Sequence, residues 1–263
     1  MQTLIVERSD GVVLCTLDRP EKKNAINDAM WVELVALFDD VETNPDDRAL
    51  IITGAGDGFC SGADLTPQRG GQPAAVRGLG SALGGMRQVG RTAYALHRLS
   101  KPTIAAVNGV AAGAGCNLAL GCDLIYASDR ARFTEIFSKR GLVVDFGGSW
   151  VLPRLVGLHR AKELVFTADI IDAAEADRIG LVNRVVAHDA LLPHANAVAR
   201  KLAHLPPNQL AVSKKLLNQS SSVTLAEAVE FEGVAQAAMF ASRDTAEAML
   251  AFVEKREARY TGE

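Results

Sequence analysis

The stretch from Asn108 to Asp123, with the sequence NGVAAGAGCNLALGCD, constrains the fold of this chain more than any other. Its first half is nearly all glycine and alanine, so no side chain larger than a methyl group would obstruct a ligand that approaches the backbone. The second half, Asn117 to Leu120, predicts a short buried helix. Gly113 to Cys116 would then lie at the helix N-terminus, where free N–H groups and the helix dipole favour a negatively charged oxygen. The alternative is a glycine turn between a strand and a packed helix.

Composition limits the possible partners of the chain. Its 263 residues are 48% hydrophobic, which suffices for one large α/β domain or two small ones. The net charge of -3 supplies no basic field, so nucleic acid is not expected as a principal partner. The four cysteines show no C-x-x-C spacing and the five histidines no metal spacing, so no metal is expected. Reduced thiols and an N-terminus without signal-peptide character predict a soluble, cytoplasmic protein without a membrane span.

The periodicity of the chain predicts strands first and helices later. Apolar residues at helical spacing from Met30 to Val41 predict an amphipathic helix, capped by Asn27 or Asp28. A turn at residues 9–11 joins the first two strands into a hairpin. After residue 158 the pattern is helical throughout, with Asp172 as one helix cap. The predicted strands are Leu4 to Glu7, Val12 to Leu17, Leu50 to Thr53, Thr103 to Val107 and Leu124 to Ala127. The later predicted helices include Ala173 to Ile179, Asp189 to Leu205, Asn208 to Gln219, Leu225 to Phe240 and Thr245 to Arg256.

A second glycine-rich loop, Gly54 to Leu65, follows the strand at residues 50–53. It invites a dinucleotide interpretation, but the G-x-G-x-x-G pattern fails because Phe59 stands where the third glycine belongs. Residues 66–90 are rich in glycine and poor in pattern, which predicts a surface loop or a lid over a pocket. The segment from Ala82 to Leu99 is expected to be helical in its latter part.

Six stretches, in this order and spacing, resemble the crotonase (enoyl-CoA hydratase/isomerase) superfamily. They are DRPEKKNAIN, GAGDGFCSGADL, KPTIAAVNGVAAGAGCNLALGCDL, the segment from Gly141 to Gly148, ADRIGLVNRVV and AFVEKR. The resemblance implies the α/β crotonase (ClpP/crotonase-type) spiral of strand-strand-helix units with a helical C-terminal region. Residues 1–200 would form the core with its CoA-binding pocket. Residues 201–263 would form a helical region for trimerisation and pocket closure, in a homotrimer or a dimer of trimers.

The resemblance also implies an oxyanion hole. In the family, two main-chain N–H groups bind the thioester oxygen of an acyl-CoA as it becomes an enolate, and here they belong to Ala63 and Ala114. Donors of this kind stabilise the charge that develops when a proton is removed beside a thioester. Alanine at position 114 keeps the N–H group that glycine would supply.

The acid/base residues differ from those of the hydratases. The two positions at which hydratases of the family have glutamate are occupied here by Asn117 and Phe137, neither of which accepts a proton at neutral pH. Glu135, two residues from Phe137, is a second possibility for one of these roles. Asp145 remains, in a pattern that resembles the epoxyphenylacetyl-CoA isomerase-like branch. Apolar neighbours would raise its pKa toward a range useful for a base. The alternative for Asp145 is an N-cap for a helix that starts near Gly147.

The remaining residues implied by the resemblance would bind CoA, which is part of the substrate and not a separate cofactor. Lys255 has an equally good alternative as a solvated residue near a helix end. The CoA-binding residues are expected to be Ala25, Ser61, Asp64, Leu65, Phe252 and Lys255.

The expected function is therefore acyl-CoA processing, with double-bond isomerisation by one Asp base preferred. The alternatives are an enoyl-CoA hydratase and a non-catalytic acyl-CoA-binding homologue. The acyl group itself is not encoded in any motif.

Overall fold

A computed structural model describes residues 1–66 and 79–263 of the chain. The larger of its two sheets has six strands in the order β1-β2-β3-β5-β7-β10. The predicted hairpin of β1 and β2 is confirmed, and the other strands of this sheet run parallel to their neighbours. The strands are β1 Leu4–Ser9, β2 Val12–Leu17, β3 Ala49–Gly54, β5 Thr103–Val107, β7 Leu124–Ser128 and β10 Arg184–Val186.

A smaller sheet of four short strands has the order β4-β6-β8-β9. Its first three strands are parallel, and β9 is antiparallel to β8. The prediction that β4 and β6 belong to glycine-rich loops is wrong, because a strand of only three residues is too short to show alternation. The strands are β4 Gly58–Cys60, β6 Val110–Ala112, β8 Arg132–Thr134 and β9 Ile171–Asp172.

The chain passes from the larger sheet to the smaller one three times, at β3 to β4, β5 to β6 and β7 to β8. Both sheets keep the same strand order, so each passage advances the chain by one position, and helices follow each pair of strands. This confirms the predicted α/β spiral of strand-strand-helix units.

Ten α-helices accompany the sheets within the described residues. The first, Asp28–Thr43, buries all seven apolar residues that its periodicity singled out, and Asn27 caps it through a 2.9 Å bond from Met30 N. Asp172 caps the sixth helix as predicted. The helices are α1 Asp28–Thr43, α2 Leu79–Arg98, α3 Ala114–Leu120, α4 Gly148–Val156, α5 Leu158–Thr167, α6 Ala173–Arg178, α7 Leu191–Ala203, α8 Pro207–Gln219, α9 Leu225–Phe240 and α10 Arg243–Glu254.

Two sequence predictions about these regions are wrong. The second helix starts at Leu79 and not near Ala82, so residues 79–90 are helical despite their glycine content. Residues 67–78 of the predicted loop or lid lie outside the described residues. The region after residue 158 also contains β9 and β10, two very short strands that pair with distant parts of the chain.

The core lies on both faces of the six-stranded sheet. On one face, residues of α1, α2 and α3 pack with the strands in a single large cluster. On the other face, α7 inserts Leu191, Ala195 and Ala199 against Ile51 and Ile104. Burial on both faces explains why β3 and β5 are continuous apolar runs. The larger sheet therefore forms a rigid support for the smaller one.

Candidate active site

Three neighbouring parallel strands, β4, β6 and β8, end at the same edge of the smaller sheet. The segments that leave these ends begin at Ser61, Gly113 and Glu135. The carboxyl ends of parallel strands commonly form a binding crevice, because the departing loops meet there. The sheet thus brings together both glycine-rich loops and a carboxyl residue from a third segment.

The two glycine-rich loops are in direct contact at Gly62. A Cβ atom on Gly62 would lie 2.9 Å from Ala112 O and 3.8 Å from Ala114 N, and Gly62 has a φ of +100°. Both conditions disfavour any other residue. The close approach of the loops therefore depends on this glycine.

The N–H groups of Ala63 and Ala114 have no acceptor among the described residues. A β-bridge fixes the first, because Ile26 N donates to Gly62 O and Asp64 N donates to Ile26 O, both at 2.8 Å, which leaves the N–H of Ala63 between them free. Ala114 is the first residue of α3, where a helix has no internal acceptor for the N–H group. Both groups are available to an oxygen of a ligand.

Asn108 supports the site from behind. Its Nδ2 donates to Gly54 O at 3.0 Å and Gly58 O at 3.2 Å, and its Oδ1 accepts from Gly54 N at 3.2 Å. Asn24 holds the same loop through Nδ2 bonds to Ala55 O and Gly58 O. These amides have their hydrogen bonds satisfied by the loop, so their role is structural.

Asn117 connects three segments of the site. Its Nδ2 donates to Glu135 Oε2 at 3.3 Å and to the main-chain oxygen of Asp145 at 3.1 Å. Asn117 is 1% exposed and Glu135 is 2% exposed. Three buried side-chain oxygens of this cluster have no hydrogen-bond partner within the described part of the chain: Asn117 Oδ1, Glu135 Oε1 and Asp145 Oδ1. We call Asn117, Glu135 and Asp145 the polar cluster.

Burial raises the pKa of both carboxyl groups of the polar cluster. The pKa of Asp145 rises to about 6 because of desolvation. Desolvation also raises the pKa of Glu135 to about 7, against hydrogen bonds from Cys116 and Asn117 that lower it, and the charge of Asp145 adds to the rise. Both groups can therefore exchange a proton near neutral pH.

Asp145 does not serve as the predicted helix cap. The N-cap of α4 is Gly147, and no side chain caps this helix. The main-chain oxygen of Asp145 accepts from Gly148 N at 2.9 Å, while its carboxylate makes no capping bond. The capping interpretation is wrong, because Asp145 lies two positions before the N-cap and only its main-chain oxygen bonds to the helix.

Glu135, which the sequence left as a second possibility, belongs to the polar cluster. It follows β8 directly, and its neighbour at the aligned position, Phe137, is buried. The useful signal was its place immediately after a strand, because neighbouring strands deliver the two glycine-rich loops to the same edge.

Arg19 joins two of the predicted CoA-binding residues. Its guanidinium donates to Ala25 O and to Asp64 Oδ2, the latter at 2.9 Å. Ser61 Oγ donates to Lys22 O at 3.0 Å, and Leu65 is 59% exposed. These four predicted residues therefore lie close to one another beside the second glycine-rich loop.

The other two predicted residues are on the last helix. Phe252 is 83% exposed on α10, and Lys255 is the C-cap of that helix. No hydrogen bond or ion pair between the described residues connects either of them to the glycine-rich loops. Within one chain, the structure does not unite them with the site.

Helix α3 carries both the free N–H group of Ala114 and Asn117, which bonds to Glu135 and to the backbone of Asp145. Free main-chain donors can stabilise a negative oxygen, and a carboxyl group with a raised pKa can take up a proton near neutral pH. Comparison with known proteins gives the family of the chain. The sequence matches the Enoyl-CoA hydratase/isomerase family over residues 7–263, so the chain belongs to this family.

Relatives in the family carry different activity names. The chain is 37% identical over 262 residues to a 1,2-epoxyphenylacetyl-CoA isomerase of Escherichia coli K12, covering 100% of this chain and 99% of that protein. It is 36% identical over 258 residues to a short-chain-enoyl-CoA hydratase of Clostridium acetobutylicum, covering 98% and 97%. A crystal structure of an enoyl-CoA hydratase from Bacillus anthracis has a TM-score of 0.93 and 31% identity, with full coverage of both chains.

The described residues contain neither a candidate metal site nor a candidate membrane-spanning helix. They contain no group of three or more histidine, cysteine, aspartate or glutamate residues arranged to hold a metal ion. None of their helices combines the length and apolar character needed to cross a membrane.

Proposed function

We propose that this chain isomerises the double bond of an acyl-CoA thioester. The single observation that supports the proposal is the carboxyl group of Asp145, which is desolvated, has no hydrogen-bond partner at Oδ1 in residues 1–66 and 79–263, and is not needed as a helix cap. A carboxylate of this kind is basic enough to remove a proton near pH 7.

The proposed reaction begins with a 3-enoyl-CoA. Asp145 takes a proton from C2, the electron pair extends over C2 to C4, and negative charge develops on the thioester oxygen. The N–H groups of Ala63 and Ala114 donate to that oxygen and stabilise it. The protonated Asp145 then returns the proton to C4, which gives 2-enoyl-CoA with no net change in atoms.

The CoA part of the substrate would bind beside the second glycine-rich loop. Arg19 fixes Ala25 and Asp64 in a common position there, and the exposed Leu65 supplies an apolar contact. Phe252 and Lys255 are proposed to complete this site from a neighbouring chain, since both are exposed.

Hydration of 2-enoyl-CoA is the second candidate function. It is favoured by one observation, the presence of Glu135 as a second carboxyl group connected to Asn117. Glu135 is 2% exposed and lies behind the amide, so direct activation of a substrate water by this residue is the weaker proposal.

An assay with 3-enoyl-CoA and 2-enoyl-CoA tests both candidates. We expect the wild-type protein to isomerise 3-enoyl-CoA faster than it hydrates 2-enoyl-CoA. Asp145→Asn should lower isomerisation about 10²- to 10⁴-fold, as expected for the loss of a general base. Asp39→Asn, which alters an exposed aspartate of α1, is the matched control and should keep the wild-type rate.

Two results would contradict the proposal. One is a wild-type isomerisation rate in Asp145→Asn, which would remove the assigned base. The other is hydration that exceeds isomerisation, which would favour the second candidate. A protein that turns over neither thioester would support the non-catalytic alternative.

A further inference from the structure

The polar cluster has too few hydrogen-bond donors for its acceptors. Ionised carboxylates only accept hydrogen bonds, and the one amide nitrogen of Asn117 already donates to Glu135 Oε2 and to Asp145 O. Among the described residues no hydrogen bond of ordinary geometry reaches three more buried oxygens of the cluster, and the only other donor that faces Glu135 is the weak S–H group of Cys116. A single added proton on a carboxyl group would convert one of these acceptors into a donor.

The orientation of the Asn117 amide is determined by its surroundings. The main-chain oxygen of Asp145 can only accept, so the amide nitrogen, and not its oxygen, must face it at 3.1 Å. Glu135 Oε2 lies 3.3 Å from the same nitrogen and therefore accepts as well. Gly148 leaves room for this amide, because a Cβ atom there would lie 2.4 Å from both Asn117 Nδ2 and Oδ1.

Through this amide, Glu135 is coupled to the backbone that bears the base. Asp145 O accepts from both Asn117 Nδ2 and Gly148 N, so the position of residue 145 depends on the amide and on the start of α4. Glu135 is nearly fully buried, and Asn117 links it to the backbone of Asp145. It is thus placed to orient Asp145 without touching a substrate.

The other neighbours of Glu135 are nearly all apolar. A cavity of about 10 Å³ behind the carboxyl group is lined by residues of α3, β8, α4, α5, β9 and the segment after α6. The titratable groups that face Glu135 are Cys116 and Asp145. Burial raises the pKa of the Cys116 thiol well above its usual value, so this thiol is neutral and Asp145 is the charged neighbour. The lining residues are Cys116, Phe133, Thr134, Glu135, Leu152, Leu164, Ile171 and Leu181.

We propose that Glu135 is a positioning residue that must hold a proton for the site to work, and that it orients Asp145 through the Asn117 amide. This inference rests on the proposed function, because it assumes that Asp145 is the base. Ionisation of Glu135 would place a second negative charge in the same desolvated site. That charge opposes the negative charge that develops on the substrate, so the active form has Asp145 ionised and Glu135 protonated.

The pH dependence of isomerisation tests the proposal. With 3-enoyl-CoA as the probe, the wild-type kcat should rise as Asp145 ionises and fall as Glu135 ionises, by about tenfold between pH 7 and pH 8.5. Glu135→Gln keeps an acceptor for Asn117 but does not ionise, so its kcat should be close to wild type at pH 6.5 and should not fall at alkaline pH. Glu163→Gln, an exposed glutamate of α5, is the matched control and should keep the wild-type profile.

Glu135→Ala separates positioning from simple charge removal. It deletes the acceptor, so kcat should fall at every pH while KM changes little, and Glu135→Gln should restore it. If Glu135→Ala does not fold, the pH dependence of kcat in Glu135→Gln still tests the proposal. The proposal would be overturned if the kcat of Glu135→Gln fell at alkaline pH as the wild-type kcat does. It would also be overturned if Glu135→Gln lost as much kcat at every pH as Asp145→Asn loses.

Asp145→Asn distinguishes failure of this inference from failure of the proposed function. If Asp145→Asn is inactive but Glu135→Gln keeps the wild-type alkaline fall, only the inference about Glu135 is wrong. If Asp145→Asn isomerises at the wild-type rate, Asp145 is not the base, and the proposed role of Glu135 in orienting it is wrong as well.

Discussion

Asp145 and Glu135 have raised pKa values for the same physical reason, because burial removes more hydration from each carboxylate than the nearby donors replace. Asn117 supplies the one amide donor that reaches both residues. Asn108 and Asn24 differ, since their amides are satisfied by a loop. At the scale of the residue, a buried oxygen without a partner distinguishes the candidate chemical groups from the structural ones.

Glu135 should also affect stability in a predictable direction. Its pKa is 4.5 in the unfolded chain and about 7 in the folded protein. The unfolded state therefore releases this proton first, and the free energy of unfolding falls as the pH rises from about 4.5 to 7. The loss is at most about 3 kcal/mol, at about 1.4 kcal/mol for each unit of pKa.

Because Glu135→Gln does not titrate, it should become more stable relative to wild type between pH 5 and pH 8. Scanning calorimetry at four pH values across this range measures the difference in Tm between each variant and the wild type. The difference for Glu163→Gln should stay constant. An equally constant difference for Glu135→Gln would mean that the buried carboxyl group is not protonated in the folded protein.

The elements that position the site are short and depend on their neighbours. Strands β4, β6 and β8 have three residues each, and only their parallel pairing brings the glycine-rich loops and Glu135 to one edge. The seven-residue helix α3 then presents Ala114 as its first residue. The donor proposed for the thioester oxygen is thus a property of a helix start and not of a side chain.

Ala114→Pro tests this donor at the scale of the element. Proline is well tolerated at the first helical position, where its missing N–H has no partner in the helix. It should therefore lower kcat for 3-enoyl-CoA about 10²- to 10³-fold while leaving the helix in place. Ala114→Gly keeps the N–H group and should stay near the wild-type rate, with circular dichroism as a check on folding of both variants. Wild-type turnover in Ala114→Pro would exclude this N–H group from the oxyanion hole.

At the scale of the whole molecule, the last three helices expose ten large apolar side chains. Apolar side chains exposed in this way are typical of contact surfaces between proteins. Phe252, a predicted CoA-binding residue, is among them, which is consistent with a role in a neighbouring chain. The exposed apolar side chains of α8 to α10 are Leu217, Leu225, Val229, Phe231, Val234, Phe240, Met249, Leu250, Phe252 and Val253.

We expect the protein to be a homotrimer or a dimer of trimers. Sedimentation velocity should show a species of three or six chains. Val234→Glu places a charge on the apolar surface of α9 and should shift the distribution toward smaller species. Gln236→Glu adds the same charge at an exposed polar position of that helix and should change it less. A wild-type monomer at micromolar concentration would contradict the prediction.

The sequence by itself determined the elements whose stabilising pattern is local. The hairpin, α1 with its seven buried residues and its Asn27 cap, and α9 with its bounds follow from periodicity, turns and caps within a few residues of each other. The family motifs also indicated the two glycine-rich stretches and Asp145 as candidates for the site, and the family itself was confirmed.

Tertiary structure alone decided what depends on residues far apart in the chain. The strands of the smaller sheet are too short for a sequence pattern and exist because distant strands pair with them. Asn117 meets Glu135 and Asp145 across 18 and 28 residues of sequence, so the burial of Glu135 and its raised pKa could not be derived from local sequence, whereas the apolar neighbours of Asp145 did predict the raised pKa of that residue. Desolvation is set by everything that surrounds a group, and for these residues the surroundings are assembled only when the sheets, α3 and the loop before α4 pack together.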